Sequence, residues 1–298
     1  MQSIINNHRF IKAEPITKGW SHDKKYCVTD KDGQKFFLRT SSLKLYENCK
    51  AIFEIMKRVE EIGVPMCVPI ELGTCGDEVY MLQSWVEGDD LLTVLPSFTA
   101  RKQYELGLEA GRILKKIHTI PAPELQEDWA SRFGRKTNFK IKAYHECELK
   151  FEGDTYVLEY IENNRHLLEC RRQCFQYGDY HIGNIMCSEG KLVIIDFDRY
   201  DFGEPWEEFN RINLCAEASP HFATGRIHGY FDGEPPLEFF QLLAFYTASN
   251  ALSSLPWAIP FGQEEVDTMM KQAQNVHKWF SNMQSPIPTW YFTQKSRL

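Results

Sequence analysis

No apolar run in this sequence approaches the roughly 18 residues that a membrane-spanning helix requires, and the opening MQSIINNHRF lacks the apolar core of a secretory signal. A cytoplasmic protein with no membrane partner is expected. Basic charge is not in excess either. The net charge is −7 at pH 7, residues 1–87 are balanced, and the whole acidic excess lies in 88–298. Nucleic acid is a poor partner for such a surface. The nine cysteines form no regular framework, and a chain of 298 residues needs no covalent staples to fold, so reduced thiols are expected. There is no Gly-x-Ser-x-Gly elbow and no His-Glu-x-x-His, which disfavours a hydrolase. Internal repeats and low-complexity tracts are absent as well.

What is present has the make-up of an ordinary globular protein, 43% hydrophobic and 25% charged, large enough for two lobes. Residues 24–29 and 34–40 are apolar-containing runs separated by Asp30-Lys31-Asp32-Gly33, a hairpin signal because Asp-Gly tolerates positive φ. An earlier strand enters a tight turn at Ile16-Thr17-Lys18-Gly19. Leu45, Cys49, Ile52, Met56, Val59 and Ile62 recur at helical steps until Gly63 and Pro65 stop them, and 79–85 reads as one more strand. The order strand, strand, strand, helix, strand breaks near residue 87. Beyond it the pattern is helical, for example Tyr104, Leu108, Gly111, Leu114 and Ile117 on one face. The one strand pair read there flanks GDYHIGNIM, residues 178–186. The expected fold class is α+β, with an N-lobe (1–87) of antiparallel sheet plus one helix and a mostly helical C-lobe (88–298).

GDYHIGNIM places Asp179 and, five positions later, Asn184 in a glycine-punctuated loop ahead of the apolar strand 192–195 and Asp196-Phe197-Asp198. Asp and Asn suit neither a strand nor a helix interior, so chemistry is a reason for them. Phosphoryl transfer from a nucleotide needs a carboxylate to receive the acceptor's proton and oxygen ligands for Mg²⁺, and kinase catalytic loops carry this Asp-x4-Asn spacing followed by Asp-Phe on a strand.

YGDYHIGNIM followed by LVIIDFDRYDFGEPWEEF resembles the aminoglycoside phosphotransferase and choline kinase superfamily, with GWSHDKKYCV, FFLRT, GVP and YMLQSWVEG matching in order ahead of it. The resemblance implies a protein-kinase-like two-lobed fold. It makes Asp179 the catalytic base, Asn184 and Asp196 the Mg²⁺ ligands, and Gly19-Trp20-Ser21-His22 the turn over the phosphates of ATP or GTP. Gln83-Ser84-Trp85 becomes the hinge against the purine. Arg39 stands where the protein kinases have lysine, with Glu47 or Glu54 as its partner from the first helix. Tyr177 replaces the family's usual His, and Asp198 stands where the protein kinases have Gly. The protein-kinase motif Ala122-Pro123-Glu124 falls before the catalytic loop, the wrong order for a protein kinase. His181 is expected to brace the loop.

Asp198, Asp201, Glu204, Glu207 and Glu208 gather after the metal strand, which points to a cationic acceptor, an aminoglycoside-like sugar first and choline, ethanolamine or another amino alcohol second. Tyr230, Phe231, Trp257 and Phe261 form either an aromatic wall for that acceptor or core packing. The alternative from another class is a catalytically silent nucleotide-binding module.

Overall fold

The computed structural model describes residues 4, 10–17 and 23–293. Along the chain run strands β1 (Lys12–Ile16), β2 (Lys24–Thr29) and β3 (Lys35–Ser42), helix α1 (Tyr46–Glu61), and strands β4 (Pro69–Cys75), β5 (Glu78–Ser84) and β6 (Asp89–Asp90). Helices α2 (Ala100–Ile117), α3 (Trp129–Glu146) and α4 (Asp154–Asn163) follow, then short strands β7 (Cys174–Gln176), β8 (Ile185–Ser188), β9 (Lys191–Ile194) and β10 (Asp201–Gly203). Helices α5 (Ile212–Ala218), α6 (Pro220–Phe231), α7 (Leu237–Ala258) and α8 (Gln263–Trp279) complete the α+β architecture. Among the described residues no helix is long and apolar enough to cross a membrane.

The chain divides into two compact units, residues 1–90 with 184–198, and 91–183 with 199–298. Reading along the sequence assigns 184–198 to the C-terminal lobe. Backbone pairing joins it to the N-terminal one: β8 pairs with β6 as well as with β9, the Ile194 N–H donates to the Pro65 carbonyl (2.9 Å), and the Cys67 N–H donates to that of Ile194 (3.0 Å).

In the first unit the antiparallel sheet runs β1-β2-β3-β5-β4. The Asp30–Gly33 turn forms as expected, with Gly33 at φ 83° and the Asp30 Oδ1 accepting from the Asp32 and Gln34 N–H groups, both at 2.9 Å. Alternation along β2 and β3 buries Val28 and Leu38 with Ile4, Phe10, Tyr80 and Leu82, while α1 buries Ile52, Phe53, Ile55, Met56 and Val59. Strand β4 is absent from the sequence reading. Its residues PIELGTC carry a Pro, a Gly and no clean alternation, and it exists because an edge position beside β5 supplies its hydrogen bonds across a bulge at Pro69/Glu71.

In the second unit α2 packs backbone to backbone on α6. A Cβ at Gly107 would overlap the Phe222 carbonyl, and one at Gly229 would overlap that of Leu108. Tyr230 and Phe231 join an aromatic core, with ring centroids 5.2 Å from Phe209 and 4.8 Å from Phe239 respectively, whereas Trp257 and Phe261 pack on each other at 4.8 Å and stay partly exposed. The two strands read on either side of GDYHIGNIM do not pair with each other: β7, before it, pairs antiparallel with the unread three-residue β10, with Asp201 opposite Gln176, and β9, after it, pairs with β8.

Candidate active site

In the first unit β3 is flanked by β2 and β5, and this fixes Arg39 opposite Lys25 and Met81. The Arg39 Nε donates to the Asp23 Oδ2 at 2.6 Å, its Nη1 pairs with Asp198, and the Asp196 carboxylate is 3.9 Å away. Ser41 Oγ donates to the other oxygen of Asp23 at 2.6 Å. Glu47 and Glu54 are both exposed and neither partners Arg39. The residues of α1 beside the guanidinium are Asn48, Cys49 and Ile52, which share with Asp23, Arg39, Ser41 and Asp198 the lining of a cavity of about 70 Å³. The helix glutamate of the protein kinases is therefore replaced by Asp23, directly ahead of β2, and by Asp198. Burial opposes the charge of Arg39, but the two aspartates outweigh it and hold the guanidinium's pKa above its ordinary value.

The β8–β9 hairpin brings the two expected metal ligands together. Ile185 faces Ile194, and the next backbone bond runs from the Ile195 N–H to the Asn184 carbonyl at 3.1 Å, so Asn184 lies beside the start of Asp196-Phe197-Asp198. Phe197 is buried and anchors the turn, and Asp196 sits at φ 69°, a left-handed conformation that a non-glycine residue adopts only under constraint. Partial burial and the negative charge of Asp198 push the Asp196 carboxyl up to about 6. Of the expected hinge, Gln83 is buried with its amide against the sulfurs of Met81 (3.1 Å) and Met56 (3.9 Å), and the Ser84 N–H is taken by the Val68 carbonyl at 2.8 Å. Trp85 follows β5, half-buried. Gly19-Trp20-Ser21-His22 lies outside the described residues.

In the second unit Asp179 is held by a loop with buried supports. Gly178 has φ 88°, and a Cβ there would overlap the Arg199 carbonyl, so only glycine fits. The buried Glu208 carboxylate accepts from the Gly178 N–H (2.9 Å) and the Tyr180 N–H (3.2 Å), and the Tyr180 hydroxyl donates to the Ala110 carbonyl at 2.8 Å. Tyr177, at the position where the family usually has His, is fully buried and packs edge-on against Tyr180. His181 braces the loop: its Nδ1 accepts from the Gly183 N–H at 3.0 Å, so a neutral ring carries its proton on Nε2, 3.3 Å from the Asp179 Oδ1. Arg211 pairs with the same oxygen, and the Arg199 Nε lies 3.8 Å from the other. Burial would raise the Asp179 carboxyl, but the His181 hydrogen bond and the charges of Arg211 and Arg199 outweigh it and hold the group below the usual carboxylate range.

The remaining carboxylates serve the scaffold. Asp201 pairs with Arg132. Glu204 is buried, accepts from the Trp206 and Glu207 N–H groups at 3.0 Å each, and meets Arg171 at 2.9 Å; burial pushes it up to about 7. Glu207 is buried, accepting from Asn210 (3.0 Å) and Gln176 (3.2 Å) with Lys136 at 3.6 Å. The sequence-based case for a cationic acceptor rested on these groups, and the structure withdraws that support, because each already has a partner. Sequence reasoning missed Asp23 and Arg211. Asp23 was readable as the first acid after the glycine turn, whereas nothing local marks Arg211, which meets Asp179 across 32 residues.

No curated protein sequence matches this one. Solved structures match it in fold over nearly their whole length at low identity. The ternary complex of APH(2")-IIa with streptomycin and ATP has a TM-score of 0.65 at 13% identity, covering 91% of this chain and 94% of that one. The amicoumacin kinase hAmiN in complex with AMP-PNP, Ca²⁺ and Ami gives 0.66 at 11%, covering 96% and 94%. A putative fructosamine-3-kinase from Haemophilus somnus 129PT gives 0.65 at 11%, covering 92% and 95%. The sheet-plus-helix and helical units thus form the protein-kinase-like fold of these small-molecule kinases. A family model matches residues 12–240, from β1 through the Asp179 loop and the Asp196 turn into α7, and the chain belongs to the phosphotransferase enzyme family.

Proposed function

We propose that this protein transfers the γ-phosphoryl group of ATP or GTP to a hydroxyl of a small molecule, with Asp179 as the base. The carrying observation is the Asp179 loop: a carboxylate kept ionised by Arg211, Arg199 and His181, on a backbone pinned by Glu208. As the acceptor oxygen bonds to phosphorus and the bridge to the leaving diphosphate breaks, Asp179 takes the hydroxyl proton. A carboxylate of low basicity suits a loose transition state, in which the proton moves late. The ATP and AMP-PNP in two of the matched structures support a nucleotide donor.

Asn184 and Asp196 fit a hard divalent cation such as Mg²⁺. Both offer oxygen on one hairpin, and the carboxyl that Asp198 pushes up is a group whose ionised form a dication would stabilise. Asn184 and Asp196 would hold such a cation, whose positive charge would offset that of the nucleotide's phosphates. Arg39, held ready by Asp23, is the donor for the α- and β-phosphates. Because Asp196 protonates near pH 6, a proton competes with the metal: affinity for the Mg²⁺ complex of a nonhydrolysable nucleotide is full above pH 7 and is expected to be about fourfold weaker at pH 5.5. Calorimetric titrations at pH 5.5 and 7.5 measure this, and in Asp196→Asn the difference disappears.

The enzyme assay is ADP or GDP release across aminoglycosides, choline, ethanolamine, polyols and hydroxy acids. Release that depends on acceptor and stops with EDTA is the expected result. Tight nucleotide binding with no release from any acceptor would instead mark a catalytically silent module.

A further inference from the structure

Every nitrogen of the Arg39 guanidinium is already engaged, Nε and Nη2 with Asp23 and Nη1 with Asp198. A phosphate can be gripped only if one of these partners lets go, and the two are not held alike. Asp23 accepts from Nε at 2.6 Å and pairs with Nη2, while its second oxygen accepts from the Ser41 Oγ at 2.6 Å, so both of its oxygens are tied to side chains of β3. Asp198 meets Nη1 through Oδ2 alone, its single ion pair among the described residues, and the Asp196 carboxylate lies 3.9 Å from the same nitrogen. Two carboxylates crowding one cationic nitrogen repel each other, which opposes the Asp198 pairing. Side-chain exposure rises from 17% at Asp23 to 24% at Asp198 and 42% at Asp196, so an anion from solvent reaches Nη1 past Asp198. Asp198 also lines the cavity of about 70 Å³ beside Arg39, which gives its carboxylate room to turn without displacing a packed side chain.

We propose that Asp198 is an exchangeable guard on Arg39: its carboxylate occupies Nη1 until a nucleotide's phosphate takes its place, while Asp23 keeps the guanidinium aimed throughout. This rests on the nucleotide binding in the proposed function and deepens it. Because the exchange trades one anion for another, the guard lowers the affinity for a nucleotide's phosphates and leaves that for the bare nucleoside untouched.

Calorimetry with ADP and adenosine in EDTA tests this, since the two probes differ only in the diphosphate and no metal is present for Asp198 to meet. Asp198→Asn keeps the shape of the side chain and removes its charge; it is expected to bind ADP about tenfold tighter, with adenosine within about twofold of wild type. Asp23→Asn is expected to bind ADP about tenfold more weakly, again with adenosine unchanged. An ADP affinity unmoved by either substitution overturns the proposal. The gain in Asp198→Asn is expected to vanish in an Arg39→Gln background, and a gain that persists there comes from the general loss of one negative charge and overturns it as well. Crystals of the wild-type protein with ADP read the exchange without any variant: a phosphate oxygen on Nη1 with Asp198 turned away is the expected result, and Asp198 still on Nη1 with ADP bound sinks the guard while nucleotide binding stands. If ADP binds no better than adenosine in both wild type and Asp198→Asn, Arg39 is no phosphate donor, and the nucleotide reading fails together with the guard.

Discussion

Asp179→Asn is expected to lower kcat by about a thousandfold, within the usual range for removing a general base, while the protein melts at nearly the wild-type temperature. The amide is isosteric and still accepts from Arg211 and His181, so the loop keeps its shape and loses only the proposed proton acceptor. Arg211 and Arg199 lose a counter-charge, but both are partly exposed, and the cost of an unpaired cation in that setting is at most about 1 kcal/mol. Single-turnover phosphoryl transfer and thermal melting, measured on the same sample, separate the two effects. A large drop in melting temperature would show that the carboxylate's main task is structural.

Glu208→Ala is expected to do both kinds of damage. This side chain is buried, and it accepts from the Gly178 and Tyr180 N–H groups on either side of Asp179. Below it, His118 bonds to Tyr230 at 2.9 Å with its Nε2 3.9 Å from the carboxylate, and the fully buried Arg226 donates to the Glu208 carbonyl at 3.1 Å. Truncation leaves two buried N–H groups without a partner and a cavity, which costs about 3–5 kcal/mol and lowers the melting temperature by about 10 °C. Catalysis falls as well, because the backbone that aims Asp179 is released. Glu208→Gln keeps one acceptor oxygen and is expected to cost about 1–2 kcal/mol. If Glu208→Ala melts like the wild type, the loop is held by its aromatic neighbours Tyr177 and Tyr180 instead.

Those two residues mark the limit of what was legible. Asp179, Asn184 and Asp196 stand out in sequence because their types and spacing match a kinase catalytic loop over a short stretch, and hairpin pairing needs few residues to be recognised. Glu208 was readable only as one acid in a cluster, and its apparent role there, attraction of a cation, differs from its position in the fold. Charge along a sequence carries no sign of which cation will face it. Arg171, Lys136 and Arg132 arrive from 33, 71 and 69 residues away and pair with Glu204, Glu207 and Asp201. The partner of Arg39 was missed for the same reason, since helical spacing leaves Glu47 and Glu54 open and contact with β3 falls to neither.

Local order therefore followed from the residues alone: the hairpin at Asp30–Gly33, helix α1, the amphipathic α2, and the loop-strand-turn that carries Asp179, Asn184 and Asp196 all rest on backbone preferences and periodicity within a few residues. Tertiary contact decided the rest. Strand β4 exists because β5 offers it an edge, the segment Asn184–Asp198 joins the N-terminal unit because β6 and Pro65-Met66-Cys67 pair with it, and the charge around Asp179 is positive because Arg211 and Arg199 converge there. Periodicity acts over one or two turns of chain, whereas electrostatics acts through space, and the sign of a site is set by whichever side chains the fold brings within a few ångströms.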